Sequence, residues 1–311
     1  MNFISKSKIF LGISAALVLL SILALLIWGL KPGVDFTGGS LMRIEFTENK
    51  LANDQIQEIF SSDQEKFGQV QIQPVGQKEV ILKFKNIDEA AHQELLKKIK
   101  EKTRAFFSTP PETQKELVQE VKFESIGPSI GQELKRKSIL AVIIVISCII
   151  AYIAWAFRAV SNQLNKYESV RYGLIAIIAL VHDIIITLGV FSFLGRFLNV
   201  EIDTFFIAAL LTILGYSVND TIIIFDRIRE NIGKKGSSNF SQVVNLSINQ
   251  TLTRSINTSA TTLIVLFAIL FFGGQSIFYF ILALIIGIIS GTYSSIFVAS
   301  PILVIWKNKR G

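Results

Sequence analysis

The sequence predicts an α-helical integral membrane protein with six transmembrane helices and one extracytoplasmic α+β domain of ferredoxin-like order between helices one and two. Half of the 311 residues are hydrophobic, and they are gathered in blocks rather than spread along the chain. Six blocks reach about 18 apolar residues or more, the length that crosses a hydrocarbon layer of roughly 30 Å. Between the first two blocks lies a hydrophilic stretch, 31–138, whose periodicity is that of a small soluble domain.

The first block, 9–30, follows Lys6 and Lys8. It is longer than the apolar core of a signal peptide and no A-x-A cleavage pattern follows, so 1–30 reads as a retained anchor. Lys31-Pro32-Gly33 cannot continue a helix and closes it. Within the soluble stretch, alternation at 41–47, 69–75, 79–85 and 119–125 predicts strands, and helical spacing at 52–60 and 87–107 predicts two helices. The order β-α-β-β-α-β is the split βαβ pattern, which lays two helices on one face of a four-stranded sheet. Pro110-Pro111 marks a break before the last strand, and His92 is expected on the solvated face of the second helix.

Blocks 139–157, 172–194 and 205–225 predict spans two to four, and 256–272 and 277–305 predict spans five and six, followed by a tail to 311. The segment 226–255 is expected as a cytoplasmic loop, with a turn at 233–238. Its residues 240–252 put Phe240, Val243, Val244, Ile248 and Leu252 on one side, either as an interfacial amphipathic helix or as a helix packed under the bundle. The last span carries a stripe of small residues, Ala283, Gly287, Gly291, Ser295 and Ala299. Such a stripe lets another helix approach closely, in generic packing or at a docking face for a partner.

The formal charge of +7 does not point to nucleic acid, because 31–138 holds 17 basic and 17 acidic residues and is neutral. The excess sits at span ends. Lys6, Lys8, Arg158, Lys166, Arg171, Arg227, Arg229, Lys234, Lys235, Lys307, Lys309 and Arg310 share one side if six spans alternate, and that side is the cytoplasm. Both termini are therefore expected inside. Lys135, Arg136 and Lys137 disagree, but long translocated domains are largely exempt from the charge rule. The lone Cys148 rules out an intrachain disulfide. With two histidines, no H-E-x-x-H, no paired cysteines and no phosphate loop, the sequence offers no ordinary catalysis, and neither a metal nor a cofactor is expected.

Asp183 falls near the centre of the third span and Asp220 toward the inner end of the fourth. A carboxylate at such depth costs at least about 2.5 to 3.5 kcal/mol on insertion scales, so these groups face protein or water and mark an ion or proton path. Arg254, at the same end of the fifth span, is the expected counter-charge of Asp220. Tyr216, Ser217, Asn219, Asn257, Thr258 and Thr261 are the polar residues that can support such a relay, because hydroxyl-rich helix surface holds water beside a titrating acid. Purely structural roles stay open: Asp220 satisfied by Tyr216 or Ser217, Asp183 by His182, and Arg254 as an interfacial anchor.

The strings G-V-D-F-T-G-G at 33–39, V-H-D-I-I-I-T-L-G at 181–189, G-Y-S-V-N-D-T-I-I-I-F-D-R-I-R-E-N at 215–231 and T-L-T-R-S-I-N-T-S at 251–259 closely resemble the SecF family of bacterial protein-export subunits. That resemblance implies a relative of the resistance-nodulation-division transporters in the bacterial inner membrane. It implies pairing with SecD beside the SecYEG channel, with YajC, the translocating preprotein and membrane lipid as further partners, and work driven by the proton gradient. It also implies that Asp220 and Arg254 move protons, that Asp183 has a less defined part, and that Asp35, Phe36, Thr37, Gly38 and Gly39 form a motif at the outer mouth. The expected cycle has ionised Asp220 paired with Arg254, and protonation from outside breaking the pair so that helices shift and the outer domain swings. Two other classes fit the same features: a subunit of a proton-driven small-molecule exporter of that superfamily, and a passive translocon scaffold.

Overall fold

Alternation of apolar and polar residues in the hydrophilic stretch is what a sheet with one covered face requires, and a computed structural model of the chain shows that sheet. It describes residues 3–47, 51–61, 63–106, 117–161, 166–235, 239–274 and 277–308. The chain divides into two units, Pro32–Lys137 on the one hand and Met1–Lys31 with Ser138–Gly311 on the other. The predicted features at Pro110-Pro111, at 236–238 and 275–276, and at Lys309 and Arg310 lie outside the described residues.

Helix α1 spans Ser7–Trp28. In the unit that follows, a single turn α2 (Val34–Thr37) leads into β1 (Gly39–Phe46), α3 (Asn53–Ser61), a short α4 (Gln64–Phe67), β2 (Gln71–Val75), β3 (Glu79–Phe84), α5 (Glu89–Phe106) and β4 (Val118–Ile126). The strands run in the order β2-β3-β1-β4 with every neighbour antiparallel, the sheet of the ferredoxin-like fold. Met42, Ile44 and Phe46 of β1 and Val80, Leu82 and Phe84 of β3 point to one face. There they meet Ile56, Ile59 and Phe60 of α3 and Ala91, Leu95 and Ile99 of α5. The glycine pair after α2 is set by its backbone: Gly38 and Gly39 have φ of 73° and 133°, and a Cβ on Gly38 would stand 2.8 Å from Pro128 Cα.

One expectation fails in this unit. His92 is not solvated but 5% exposed, stacked on Phe123 with centroids 3.7 Å apart. Its Nε2 lies 2.8 Å from the Glu120 carboxylate and its Nδ1 3.2 Å from that of Glu89. The ring shares the covered face of α5 with Leu95 and Ile99, three and seven residues on, a helical period that places it inside.

The other unit contains α1 and the long helices α6 (Pro128–Ser161, from Ser138 on), α7 (Lys166–Leu198), α8 (Thr204–Lys235) and α9 (Phe240–Phe272). The last apolar block is α10 (Phe278–Ser294), a π turn at Ser295–Ala299 and α11 (Ser300–Asn308). Six helices are long and apolar enough to cross a membrane. They are unequal: 67% of the apolar window of the last span is buried but only 6% of that in α6, so α6 turns its Leu, Ile and Trp side chains outward. The π turn is followed by Ser300, whose Oγ donates to the Ser295 carbonyl at 3.1 Å, and by Pro301, which lacks an N–H.

One further expectation is corrected here, and two that stood open are decided. Residues 226–255 are not a loop, since α8 continues to Lys235 and α9 starts at Phe240 and runs unbroken into the fifth span. Phe240, Val243, Val244 and Ile248 belong to the bundle core with Ile224, Phe225 and Ile228, so this turn packs in the bundle rather than lying at an interface. The small-residue stripe of the last span is likewise used internally. A Cβ on Gly287 would come within 2.3 Å of Ile213, one on Gly291 within 3.0 Å of Ser217, and Ala283 and Ser295 are fully buried. It therefore seats α10 on α8 and is not free to dock a partner.

Candidate functional site

The close approach of α10 to α8 puts polar side chains of several helices around Asp183, which is completely buried on α7. Its Oδ1 accepts from Ser290 Oγ at 2.9 Å and from the neighbouring His182 Nδ1 at 2.9 Å. Its Oδ2 accepts from Ser294 Oγ at 2.8 Å and from Ser217 Oγ. His182 Nε2 lies 3.1 Å from Ser14 Oγ, which ties α1 into the same network. Four donors fill a carboxylate's acceptor capacity, and together they lock four helices in register.

Asp220 on α8 is equally buried, at 1% exposure, and almost bare. Its one hydrogen-bond partner among the described residues is Thr292 Oγ1 of α10, at 3.5 Å, the outer limit of a hydrogen bond. That hydroxyl donates more closely to the Ile288 carbonyl, at 2.9 Å, and lies 2.6 Å from Ser259 Oγ of α9. Neither Tyr216 nor Ser217 satisfies Asp220: Ser217 serves Asp183, and the Tyr216 hydroxyl reaches Thr262 at 3.5 Å.

The expected pairing of Asp220 with Arg254 is not formed. Arg254 makes no ion pair among the described residues and lies on an exposed face of α9 with Asn257, Thr258 and Thr261. The matched depth read from the sequence holds no information on direction around the helix, and 254 faces away from the side that carries Ser255 and Ser259. Asn219 is also exposed on α8. Of the outer-mouth motif, Phe36 is buried, and Thr37 Oγ1 donates to the Gly33 carbonyl at 3.0 Å, closing the turn before the two glycines. Sequence reasoning missed Ser14, Ser290, Ser294 and Thr292. The signal was present in α10, whose hydroxyls at 290 and 294 recur at helical spacing beside the glycines of the stripe.

A bundle of six apolar helices with two buried carboxylates and an α+β domain inserted after the first helix defines an integral membrane protein that keeps ionisable groups inside its bundle. Comparison with known proteins narrows this. The family model for the protein export membrane protein SecD/SecF C-terminal region matches residues 109–309, and the SecD/SecF GG motif matches residues 24–50. Protein translocase subunit SecF of Thermobaculum terrenum is 39% identical over 96% of this chain and 91% of its own length. That of Desulfurispirillum indicum is 39% identical over 96% and 89%. The crystal structure of SecDF, a translocon-associated membrane protein from Thermus thermophilus, superposes with a TM-score of 0.76 at 33% identity. That match takes in 99% of this chain, which spans only 39% of the SecDF chain. The chain belongs to the SecF family of protein translocase subunits.

Proposed function

We propose that this chain works with SecD in the bacterial inner membrane, both termini cytoplasmic, as a transport component that uses the proton gradient to promote preprotein translocation. Its assembly is with the SecYEG channel and YajC, and it carries no cofactor. The observation that carries the reading is Asp220, a carboxyl group almost without partners at the heart of a membrane bundle. Intramembrane ionisable groups with a purely structural task are paired, as Asp183 is; one left bare is available to bind and release a proton.

The pairing with SecD is supported by the outward face of α9. Arg254, Asn257, Thr258 and Thr261 are exposed in the middle of an apolar helix, where lipid tails offer them nothing. The adjacent α8 exposes Thr212, Gly215 and Asn219, small enough for a helix to come close. A second membrane subunit covering both strips satisfies them, and the SecDF chain is long enough to contain one. Arg254 then acts across that interface rather than on Asp220 within this chain.

The test uses the purified pair with its channel in vesicles under an imposed proton gradient. Asp220→Asn should lower gradient-driven export at least tenfold while leaving insertion and pairing with SecD intact. Normal proton-driven export in that variant would leave a passive scaffold as the better reading.

A further inference from the structure

The polar residues of α9 divide between two faces, and the buried one has no assigned task. Ser247, Thr251, Ser255 and Ser259 recur every fourth residue on the side packed against α8 and α10, each 7% exposed or less. At one end Ser259 Oγ lies 2.6 Å from Thr292 Oγ1, the hydroxyl that reaches Asp220. At the other end Asn231 Nδ2 donates to Ser247 Oγ and to Gln250 Oε1, both at 2.8 Å, and Arg227 Nε donates to the same Gln250 oxygen at the exposed rim. The row thus runs from beside Asp220 to the α8–α9 end of the bundle.

Ser255, in the middle, is the second observation. Its hydroxyl is fully buried and has no hydrogen-bond partner among the described residues. Polar groups in such a position are normally satisfied, so the site is suited to a polar species that comes and goes. The spacing selects that species. Four residues advance a helix by about 6 Å, too far for one hydroxyl to reach the next directly and close to the span of two hydrogen bonds through one water.

We propose that Thr292, Ser259, Ser255, Thr251 and Ser247 form a hydroxyl and water file that carries protons between Asp220 and the α8–α9 end of the bundle. This rests on the reading of Asp220 as the proton carrier. In each step an oxygen accepts a proton on a lone pair and releases its own to the next oxygen. The file ends with its hydrogen bonds reversed, Asp220 as carboxylate and one proton in water beside Arg227 and Gln250. Rotation of the hydroxyls restores the starting order, and no co-reactant is needed.

The experiment uses the pair with SecD in vesicles and a Cys148→Ala background. Silver ion, similar in size to water, is applied from the side of the termini to the Ser255→Cys variant, and its capture is read as protection of that thiol from later labelling in denaturant. Capture within seconds is expected, slowed at least tenfold when Thr251→Val is added. In proton-flux measurements Ser255→Val should lose at least tenfold and Ser255→Thr, which keeps a hydroxyl, should stay close to the parent. An uncaptured thiol together with normal flux in Ser255→Val overturns the file, and leaves the Asp220 reading standing if Asp220→Asn is inactive. Normal flux in Asp220→Asn overturns the Asp220 reading, and with it the file as a proton route, whether or not silver enters.

Discussion

Asp183 and Asp220 are two carboxyl groups of one helix bundle, both buried, and they differ in how they are surrounded. Asp183 has four donors from three helices, and its neighbour His182 extends the network to a fourth. Asp220 has one marginal contact with a threonine whose hydroxyl is committed elsewhere. Depth in the membrane is therefore a poor guide to role. A carboxylate with four donors has many bonds to lose when its chemistry is altered, whereas a nearly bare one has few.

The comparison is broken most directly by neutralising each group in turn. Asp220→Asn should show the largest functional loss, tenfold or more, with a thermal stability equal to the parent or up to about 1 kcal/mol higher, because a poorly paired polar group has been made less costly to bury. Asp183→Asn should do the opposite. An amide presents one acceptor oxygen and two N–H groups to three hydroxyls and an imidazole that are set up as donors. A loss of about 2 to 4 kcal/mol is expected, since bonds to a charged acceptor contribute about 1.5 to 3 kcal/mol in water-soluble proteins and less between membrane helices. Denaturant unfolding of the detergent-solubilised chain measures it. Equal stability losses in both variants would dissolve the distinction.

A smaller effect sharpens the point by acting on the frame. Gly291→Val pushes a side chain into Ser217, which stands 3.0 Å from where the Cβ would sit, and so separates Ser217 from Asp183. Overpacking of this kind costs about 1 to 3 kcal/mol. The variant should lose stability in the same direction as Asp183→Asn, and combining the two should be less than additive, because they damage one network.

Much of this was legible in the sequence, for identifiable reasons. Runs of apolar residues declare spans because a bilayer has a fixed thickness, and strand alternation declared the sheet, down to the two helices that cover it. The carboxylates stood out because charge inside an apolar run is rare. What stayed hidden depends on angle about a helix axis and on partners remote in sequence. Arg254 matches Asp220 in depth yet turns the other way, and Ser217 lies three residues from Asp220 but bonds Asp183, 34 residues back. The glycines of the last span were visible as a close-packing face; that the partner is α8 of the same subunit depends on tertiary packing that no local pattern records.

A third carboxylate separates pairing from burial. Glu94 of the soluble unit, like Asp183, has a donor on each oxygen: Lys66 bonds one and Lys98 Nζ lies 2.9 Å from the other, and these hydrogen bonds, Lys66 first, lower its pKa to about 2. It stands in water, however, where paired charges are screened and contribute little. The sign follows from linkage. A carboxyl group whose folded pKa is depressed adds stability above its unfolded value of 4.5, and that stability drains away as the pH falls toward 2. Glu94→Gln should therefore leave amide exchange in α3 and α5 nearly unchanged at pH 7, and the small difference from the parent should shrink to nothing as the pH approaches 2. A loss at pH 7 rivalling that of Asp183→Asn would mean that the number of donors, and not exclusion of water, sets the strength of such a carboxylate hub.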